Sequence, residues 1–254
     1  MAILDELVLP RGVIFGDVSE PLQDIYEVST VANYQLGTKL EYGDGRVFRY
    51  SKAGGAIGAA LMSQQAAVVT ELTEVAQTGH AQAVGAVDIN VLIATGATLV
   101  DNELAGGTLF VNKGGAIGDA YKIVASKIRS TDTILDLKLE TAIRNAIVAT
   151  DEISIIPNRQ SNVVVAPTTT TGVMAGVALV AVADNEFFWA QVRGPAPVIV
   201  DTGETVVIGN TVGLPATSSV AGACGVRVTL EQSWGSVMAV GAAAEPALID
   251  LALE

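Results

Sequence analysis

The most constraining feature of this sequence is a succession of short β-capable runs, each ended by glycine or proline. Several runs alternate apolar and charged residues, as in Leu-Asp-Leu-Lys-Leu at residues 135–139. A period of two places successive side chains on opposite faces of a strand, so that one face can be buried. The runs recur at intervals of roughly 8–12 residues, and no long helical period intervenes. The sequence therefore predicts an all-β fold of β-sandwich or β-barrel modules with short helical turns.

Composition excludes several classes of protein. The 254 residues carry a formal net charge of −13, and an acidic chain is repelled by phosphate backbones, so we expect no direct binding to nucleic acid. Half of the residues are hydrophobic, which is too apolar for a disordered chain. The apolar runs are interrupted before about 18 residues, so no membrane span is predicted. The first six residues lack the basic region of a signal peptide.

Two hairpins are predicted from turn residues between β-capable runs. Residues 34–50 contain two such runs around Gly43-Asp44-Gly45, and an Asp-Gly turn is typical of a hairpin. In the second case, the aromatic residues 187–189 precede Arg193-Gly194-Pro195 and a β-branched run at 198–200. Aromatic side chains bury the most area per residue, so we expect this second hairpin to nucleate a β core.

The chain divides into three predicted parts. Residues 1–33 hold short apolar clusters separated by proline and glycine, and they form either the leading strands of a domain or an extended arm on a neighbouring subunit. Residues 34–166 are predicted as a first β domain, in which residues 56–69 and 141–146 form short helical turns. A Pro/Thr-rich stretch marks the boundary to a second β domain over residues 167–254.

A glycine motif occurs twice after a β-capable run. Residues 52–58 read Lys-Ala-Gly-Gly-Ala-Ile-Gly, and residues 113–118 read Lys-Gly-Gly-Ala-Ile-Gly. A dinucleotide fingerprint needs Gly-x-Gly-x-x-Gly and a P-loop ends in Gly-Lys-Ser/Thr, so neither nucleotide motif is present. We interpret the repeated motif as two similar turns.

Side chains suited to catalysis or metal binding are sparse. His80 is the single histidine, expected in an exposed loop, and Cys224 is the single cysteine, expected to be a buried, unreactive thiol. No Gly-x-Ser-x-Gly nucleophile elbow occurs, and a zinc site would need more His or Cys. Residues 101–103 and 151–152 lack the spacing of a calcium loop and are expected in turns. We therefore predict a protein without enzymatic activity, metal or cofactor.

Four motifs follow one another within residues 34–254. They are Tyr-Gln-Leu-Gly at 34–37 with Phe-Arg-Tyr-Ser-Lys-Ala-Gly at 48–54, Leu-Ala-Gly-Gly-Thr-Leu-Phe-Val-Asn at 104–112, Glu-Ile-Ser-Ile-Ile-Pro-Asn at 152–158 with Val-Ala-Pro-Thr-Thr at 165–169, and Phe-Trp-Ala-Gln-Val-Arg-Gly-Pro at 188–195 with Val-Gly-Leu-Pro-Ala-Thr at 212–217. In this order they resemble the head decoration (cement) proteins of tailed double-stranded DNA bacteriophages.

The resemblance implies a non-enzymatic structural virion protein. Such a protein binds the outer surface of an HK97-type capsid shell and stabilises the shell by bridging capsomers. The implied partner is the major capsid protein, the implied assembly is a homo-oligomer with a trimer favoured, and the implied location is the capsid outer surface.

The resemblance does not extend to residues 1–33, and the contact residues are predicted there from apolarity alone. The predicted capsid or subunit interface consists of Leu7, Val8, Leu9, Val13, Ile14 and Phe15.

Two other functional classes stay open. A head-fibre, tail or adhesin module that binds a host receptor or glycan predicts an exposed aromatic or acidic patch on a distal loop, with residues 187–189 as the aromatic candidate. Core packing is the competing prediction for these three aromatic residues. A carbohydrate-active enzyme predicts a cleft with two carboxylates about 5–9.5 Å apart.

Overall fold

The structure is a computed structural model that describes residues 22–97, 99–129, 133–215, 217–227 and 231–254, with the backbone of residues 13–14. Within these residues the chain forms seventeen strands and one 3-10 helix, over Thr70–Leu72. The strands are β1 (Val13–Ile14), β2 (Lys39–Glu41), β3 (Val47–Lys52), β4 (Leu61–Gln65), β5 (Val75–Ala76), β6 (Asp88–Leu92), β7 (Thr108–Lys113), β8 (Ala120–Ile128), β9 (Ile134–Leu139), β10 (Glu152–Ile156), β11 (Val163–Val165), β12 (Met174–Ala178), β13 (Phe187–Ile199), β14 (Thr211–Gly213), β15 (Gly225–Val226), β16 (Ser233–Ala239) and β17 (Pro246–Ala252).

The strands belong to two compact units, and the predicted all-β class is confirmed. Unit 1 consists of Met1–Ala66 and Arg159–Glu254 and contains an eleven-stranded sheet. Eight of its strands follow the order β1-β2-β3-β13-β17-β16-β14-β15. The other three form a branch, in which β12 pairs with β13 and β4, and β4 pairs with β11. Unit 2, Ala67–Asn158, holds a six-stranded sheet in the order β5-β10-β7-β8-β9-β6. One of the two sheets is a near-closed barrel and the other a half-barrel.

The division into units differs from the predicted boundaries. Strands that precede residue 66 pair with strands that follow residue 159, because β3 pairs with β13 and β4 pairs with β11 and β12. The predicted domain 34–166 is therefore shared between both units, and unit 2 interrupts unit 1 in sequence. The Pro/Thr-rich stretch only connects β11 to β12.

The predicted second hairpin is wrong, because residues 187–199 form the single strand β13. Gly194 adopts φ 79°, and the register to β3 shifts next to it, between Gln191 and Arg193. The first half of β13 pairs with β3 and the second half with β17, so neither half has to fold back on the other. The buried Gln191 side chain donates from Nε2 to the carbonyls of Arg193, Gly194 and Pro195, at 3.0, 3.3 and 2.9 Å.

The two predicted helical turns are also wrong. Residues 56–69 contain the strand β4, where the Ser63 hydroxyl donates to the Gly176 carbonyl at 2.6 Å and both edges are paired. Residues 141–146 form a loop whose N–H groups bond elsewhere, Ile143 to the Ala86 carbonyl and Arg144 to the Tyr121 hydroxyl, both at 2.9 Å. In each case a tertiary partner outweighs the weak helical preference of alanine-containing sequence.

Other strand predictions are confirmed. The hairpin of residues 34–50 consists of β2 and β3, with Leu40 opposite Phe48 and a turn at residues 43–45. The alternation at residues 135–139 lies in β9, where the three leucines are buried. In β17, Ile249 and Leu251 are buried as well.

Both copies of the glycine motif are turns after a strand, as predicted. The first follows β3 and the second follows β7. In each copy a glycine packs against a side-chain oxygen, so that an added Cβ would lie 1.8 Å from Asn162 Oδ1 at Gly54 and 1.8 Å from Asp151 Oδ1 at Gly114. The glycines are therefore required by close packing at the end of the strand.

Glutamine side chains join the two edges of the smaller sheet. Leu92, in the edge strand β6, donates its N–H to Gln77 Oε1 at 2.9 Å and accepts from Gln77 Nε2 at 3.1 Å. Gln82 Nε2 donates to the carbonyl of Asn90 in the same strand at 2.6 Å. The backbones of Gln77 and Gln82 bond in turn to Asp151 and Ile147 at the opposite edge. Buried side-chain amides thus replace a backbone ladder and cover an edge open to self-association.

We expect Gln77→Ala to lower the free energy of unfolding by about 2–4 kcal/mol, because it leaves the N–H and carbonyl of Leu92 without partners. Urea unfolding followed by circular dichroism measures this loss, and sedimentation measures self-association through the uncovered β6 edge. Gln35→Ala, at an exposed glutamine, is the matched control and should unfold like wild type. Equal stability of the two variants would contradict the role of Gln77.

A buried carboxylate organises the loop that follows β13. Asp201 accepts hydrogen bonds from the N–H groups of Ser219 and Val220, at 2.9 and 2.8 Å, and from the Ser219 hydroxyl at 2.7 Å. Burial of the carboxyl opposes ionisation, but the hydrogen bonds from Ser219, Val220 and Gly203 outweigh it and lower the pKa of Asp201 to about 2.

Because this pKa is lower in the folded chain than in the unfolded one, the ionised Asp201 stabilises the fold above pH ~4. That stabilisation should be lost as the pH falls from about 4 to about 2. We expect Asp201→Asn to destabilise the protein by about 1–3 kcal/mol at neutral pH and to flatten this part of the stability profile. Thermal unfolding between pH 2 and 7 tests the prediction, and an unchanged profile in the variant would contradict it.

Candidate interaction surface

The predicted interface residues fall mostly outside the described part of the chain. Leu7, Val8, Leu9 and Phe15 lie outside the described residues. Val13 and Ile14 form β1, whose backbone pairs antiparallel with Glu41 and Leu40 of β2. At these two positions the N-terminal segment is a strand of the larger sheet.

The residues that follow, 22–34, form a strap across unit 1. Ser29 and Phe187 exchange backbone hydrogen bonds of 3.0 and 2.7 Å. The Trp189 indole donates to the Gln23 carbonyl at 3.0 Å, and the N–H of Asn33 donates to the Tyr50 hydroxyl at 3.0 Å. The strap is therefore fixed along its length by β3 and β13.

Gln23 is the main anchor of the strap. Its Nε2 donates to the carbonyls of Glu27 and Phe187, both at 2.9 Å. Its Oε1 accepts from the Tyr50 hydroxyl at 2.8 Å and from Asn33 Nδ2 at 3.1 Å. Both N–H donors and both lone pairs of the oxygen of this buried carboxamide are thus used.

An aromatic cluster supports the strap from below. The Tyr50 and Trp189 rings meet edge-on with centroids 5.0 Å apart, and Tyr34 lies 5.2 Å from Tyr50 and 5.3 Å from Trp189. Phe187 stacks on Tyr50 at 5.9 Å. Such aromatic pairs add stability beyond their buried area, so the strap rests on a rigid base.

The outer side of the strap carries several exposed apolar side chains beside the exposed carboxylates Asp24 and Glu27. Leu22, Tyr26 and Val31 have relative exposures of 75%, 61% and 66%, and Val28 is exposed as well. Four large apolar side chains thus face solvent within ten residues, while the alternate residues Gln23 and Ile25 point inward. An apolar patch held on a rigid base is a feature of protein interaction sites.

His80 and Cys224 do not form a catalytic arrangement. His80 lies in a loop and is half-buried, and its Nδ1 lies 2.6 Å from Asn90 Oδ1. Cys224 is buried, and burial raises the pKa of its thiol to about 12, so it stays protonated at neutral pH. Within the described ranges, no group of three or more His, Cys, Asp or Glu residues is placed to hold a metal ion.

The carboxylates singled out in the sequence lie in turns or at strand starts. Asp101, Asn102 and Glu103 belong to one turn. The Asp151 carboxylate accepts from the N–H groups of Gly115 and Val148, at 3.2 and 3.1 Å, and Glu152 begins β10 and pairs with Lys113. Asp151 therefore holds the backbone in place, whereas Glu152 forms a side-chain ion pair.

Comparisons with protein-family models, with curated proteins and with solved structures found no match to this chain. Within the described part of the chain, no helix has the length and hydropathy needed to cross a membrane.

Sequence reasoning missed the strap residues, although they fall within the predicted N-terminal part. Leu22, Tyr26, Val28 and Val31 follow neither a strict strand period nor a helical one. The signal that could have found them is the pair Gln23 and Ile25, two residues apart. If both side chains point inward, the residues between and around them face solvent.

We expect Gln23→Ala to release the strap and to lower the free energy of unfolding by about 2–4 kcal/mol, because Tyr50 loses a buried partner. Cleavage by a glutamate-specific protease at Glu27 should become faster than in wild type. Gln35→Ala is again the control, since this side chain is exposed and lies next to the strap. Cleavage at the wild-type rate in Gln23→Ala would contradict the anchoring role.

Proposed function

We propose that this protein is a non-enzymatic structural virion protein that binds the outer surface of an HK97-type capsid shell and bridges neighbouring capsomers. The observation that carries the proposal is the strap, with four exposed apolar side chains on an immobilised backbone. The motif order along residues 34–254, similar to that of head decoration proteins, supplies the class of partner, which is the major capsid protein.

The physical properties of the strap suit a permanent contact. Association is opposed by the ordering of flexible segments, and a segment already held by Gln23 and Trp189 has little conformational entropy left to lose. Burial of a large apolar side chain contributes about 1.5–3 kcal/mol to the free energy of binding. A few such residues per subunit are therefore enough to stabilise a shell that is covered by many copies. We propose that the same surface contributes to a homo-oligomer, with a trimer favoured.

The charge and the all-β architecture support the proposal. A net charge of −13 disfavours contact with packaged DNA and is compatible with a position on the outer shell. The first part of the long strand β13 binds the strap, and its second part pairs with β17. A mechanical force applied to the strap is therefore transmitted to the sheet.

The receptor-binding alternative loses its aromatic candidate. Phe188 and Trp189 are each 1% exposed, and Phe187 is partly buried under the strap. Core packing, the competing prediction, is confirmed for Phe188 and Trp189. A receptor site would therefore need other residues.

Mixing purified protein with expanded capsids that lack it tests the proposed function. We expect saturable co-sedimentation and a raised melting temperature of the capsid, since a ligand of the assembled state stabilises that state. Absence of binding at saturating concentration would contradict the proposal.

The double variant Leu22→Ser with Val31→Ser tests the strap itself. We expect it to weaken capsid binding by at least about tenfold, because both side chains lose apolar area that the complex buries. Val84→Ser is the matched control, since Val84 is 64% exposed and lies in unit 2. Equal loss in both variants, or no loss in either, would exclude the strap as the contact surface.

A further inference from the structure

An open groove of about 460 Å³, lined mainly by polar and charged residues, lies on the solvent face of the smaller sheet, entirely within unit 2. Its base is formed by β6, β9 and β8, and its wall by the turn residues Asp101 and Asn102. The small side chain of Ala125, in β8, also lines the groove.

The groove presents hydrogen-bond donors and acceptors in rows across the strands. Asp88 faces Lys138 in the first row, and Asn90 faces Asp136 in the second. Lys127 extends the second row, since it faces Asp136 from β8. Neighbouring strands are about 4.8 Å apart, so a carboxylate and an ammonium lie side by side at that spacing in each row, Asp88 with Lys138 and Asp136 with Lys127.

The charges of the groove cancel. Three carboxylates (Asp88, Asp101 and Asp136) stand beside three cations (Lys127, Arg129 and Lys138). Arg129 holds Asp136 in a bidentate ion pair with bonds of 2.8 and 2.7 Å. Across the described ranges, the side chains of Asp88, Asp101 and Lys138 have no hydrogen-bond or ion-pair partner, so these side chains are free to bind a ligand.

We propose that this groove binds an uncharged, hydroxyl-rich polysaccharide. Each sugar hydroxyl both donates and accepts a hydrogen bond, so it can bridge a carboxylate and an adjacent ammonium or amide. A groove without net charge, in a chain of net charge −13, does not attract a polyanion. Its open form fits a segment of an extended chain better than an enclosed small molecule.

The groove lacks an aromatic platform among its lining residues, so a single site binds weakly. Weak sites become effective when many copies are displayed together, because the second binding event is intramolecular. This consequence rests on the proposed multi-copy function, whereas binding by the isolated protein does not.

Affinity electrophoresis of the isolated protein tests the groove without any capsid. The acidic protein migrates as an anion in native gels, and a neutral polysaccharide cast into the gel slows any protein that binds it. We expect retardation of wild type by at least one of dextran, mannan and galactomannan, and none by dextran sulfate beyond that seen with a non-binding acidic protein.

The variant Asp88→Asn with Lys138→Gln removes two opposite charges and keeps the net charge, so its free mobility is unchanged. We expect it to lose most of the retardation. The control, Lys122→Gln with Glu140→Gln, changes two exposed residues of unit 2 outside the groove and should be retarded like wild type. Lack of retardation by all three neutral polysaccharides, or equal retardation of both variants, would overturn the proposal. Retardation by dextran sulfate alone would also overturn it.

Discussion

Buried glutamine side chains connect parts of this protein where backbone pairing ends. Seven of the nine glutamines are buried. A carboxamide carries a donor and an acceptor side by side, as a peptide group does, so it can occupy the edge of a strand in place of a neighbouring strand. Gln77 does this for β6, Gln191 holds the bend of β13, and Gln23 joins the strap to β3 and β13. A buried amide left unpaired would be strongly destabilising, so each of these contacts specifies one arrangement.

The strands could be predicted from the sequence because burial of one face produces a visible alternation, as at Leu135 and Leu137 in β9. The long strand β13 could not, because Gly194 and Pro195 are the residues that also begin turns. What keeps them in a strand is Gln191 together with pairing to β3 and β17, partners more than fifty residues away in sequence. Helical preference failed at residues 56–69 for the same reason, since β4 is paired on both sides.

The candidate surfaces were only partly accessible to sequence reasoning. The N-terminal part was predicted as an interface from its apolar residues. The conformation of the strap, however, is fixed by Gln23 and by Trp189, which is distant in sequence. In the groove, Asp136 and Lys138 were predicted as the solvated face of a strand, and they are. That Asp88 and Lys127 flank them depends on the pairing of three strands, which a single sequence does not specify.

The two units present different surfaces. The strap of unit 1 offers apolar area on a rigid aromatic base, which suits a stable protein contact. The groove of unit 2 offers balanced charges on a sheet whose two edges are joined by glutamine side chains. This surface suits a hydrated ligand that binds weakly. Neither surface needs a reactive group, in keeping with the buried, protonated thiol of Cys224 and a His80 whose ring contacts an amide.

Amide hydrogen exchange at Leu92, followed by NMR, tests most directly whether side-chain amides close the smaller sheet. The N–H of Leu92 points away from β9 and bonds to Gln77 Oε1, so we predict protection comparable to that of Val91, which faces Leu135 in the ladder. Exchange at Leu92 as fast as at an open strand edge, with Val91 still protected, would contradict the account.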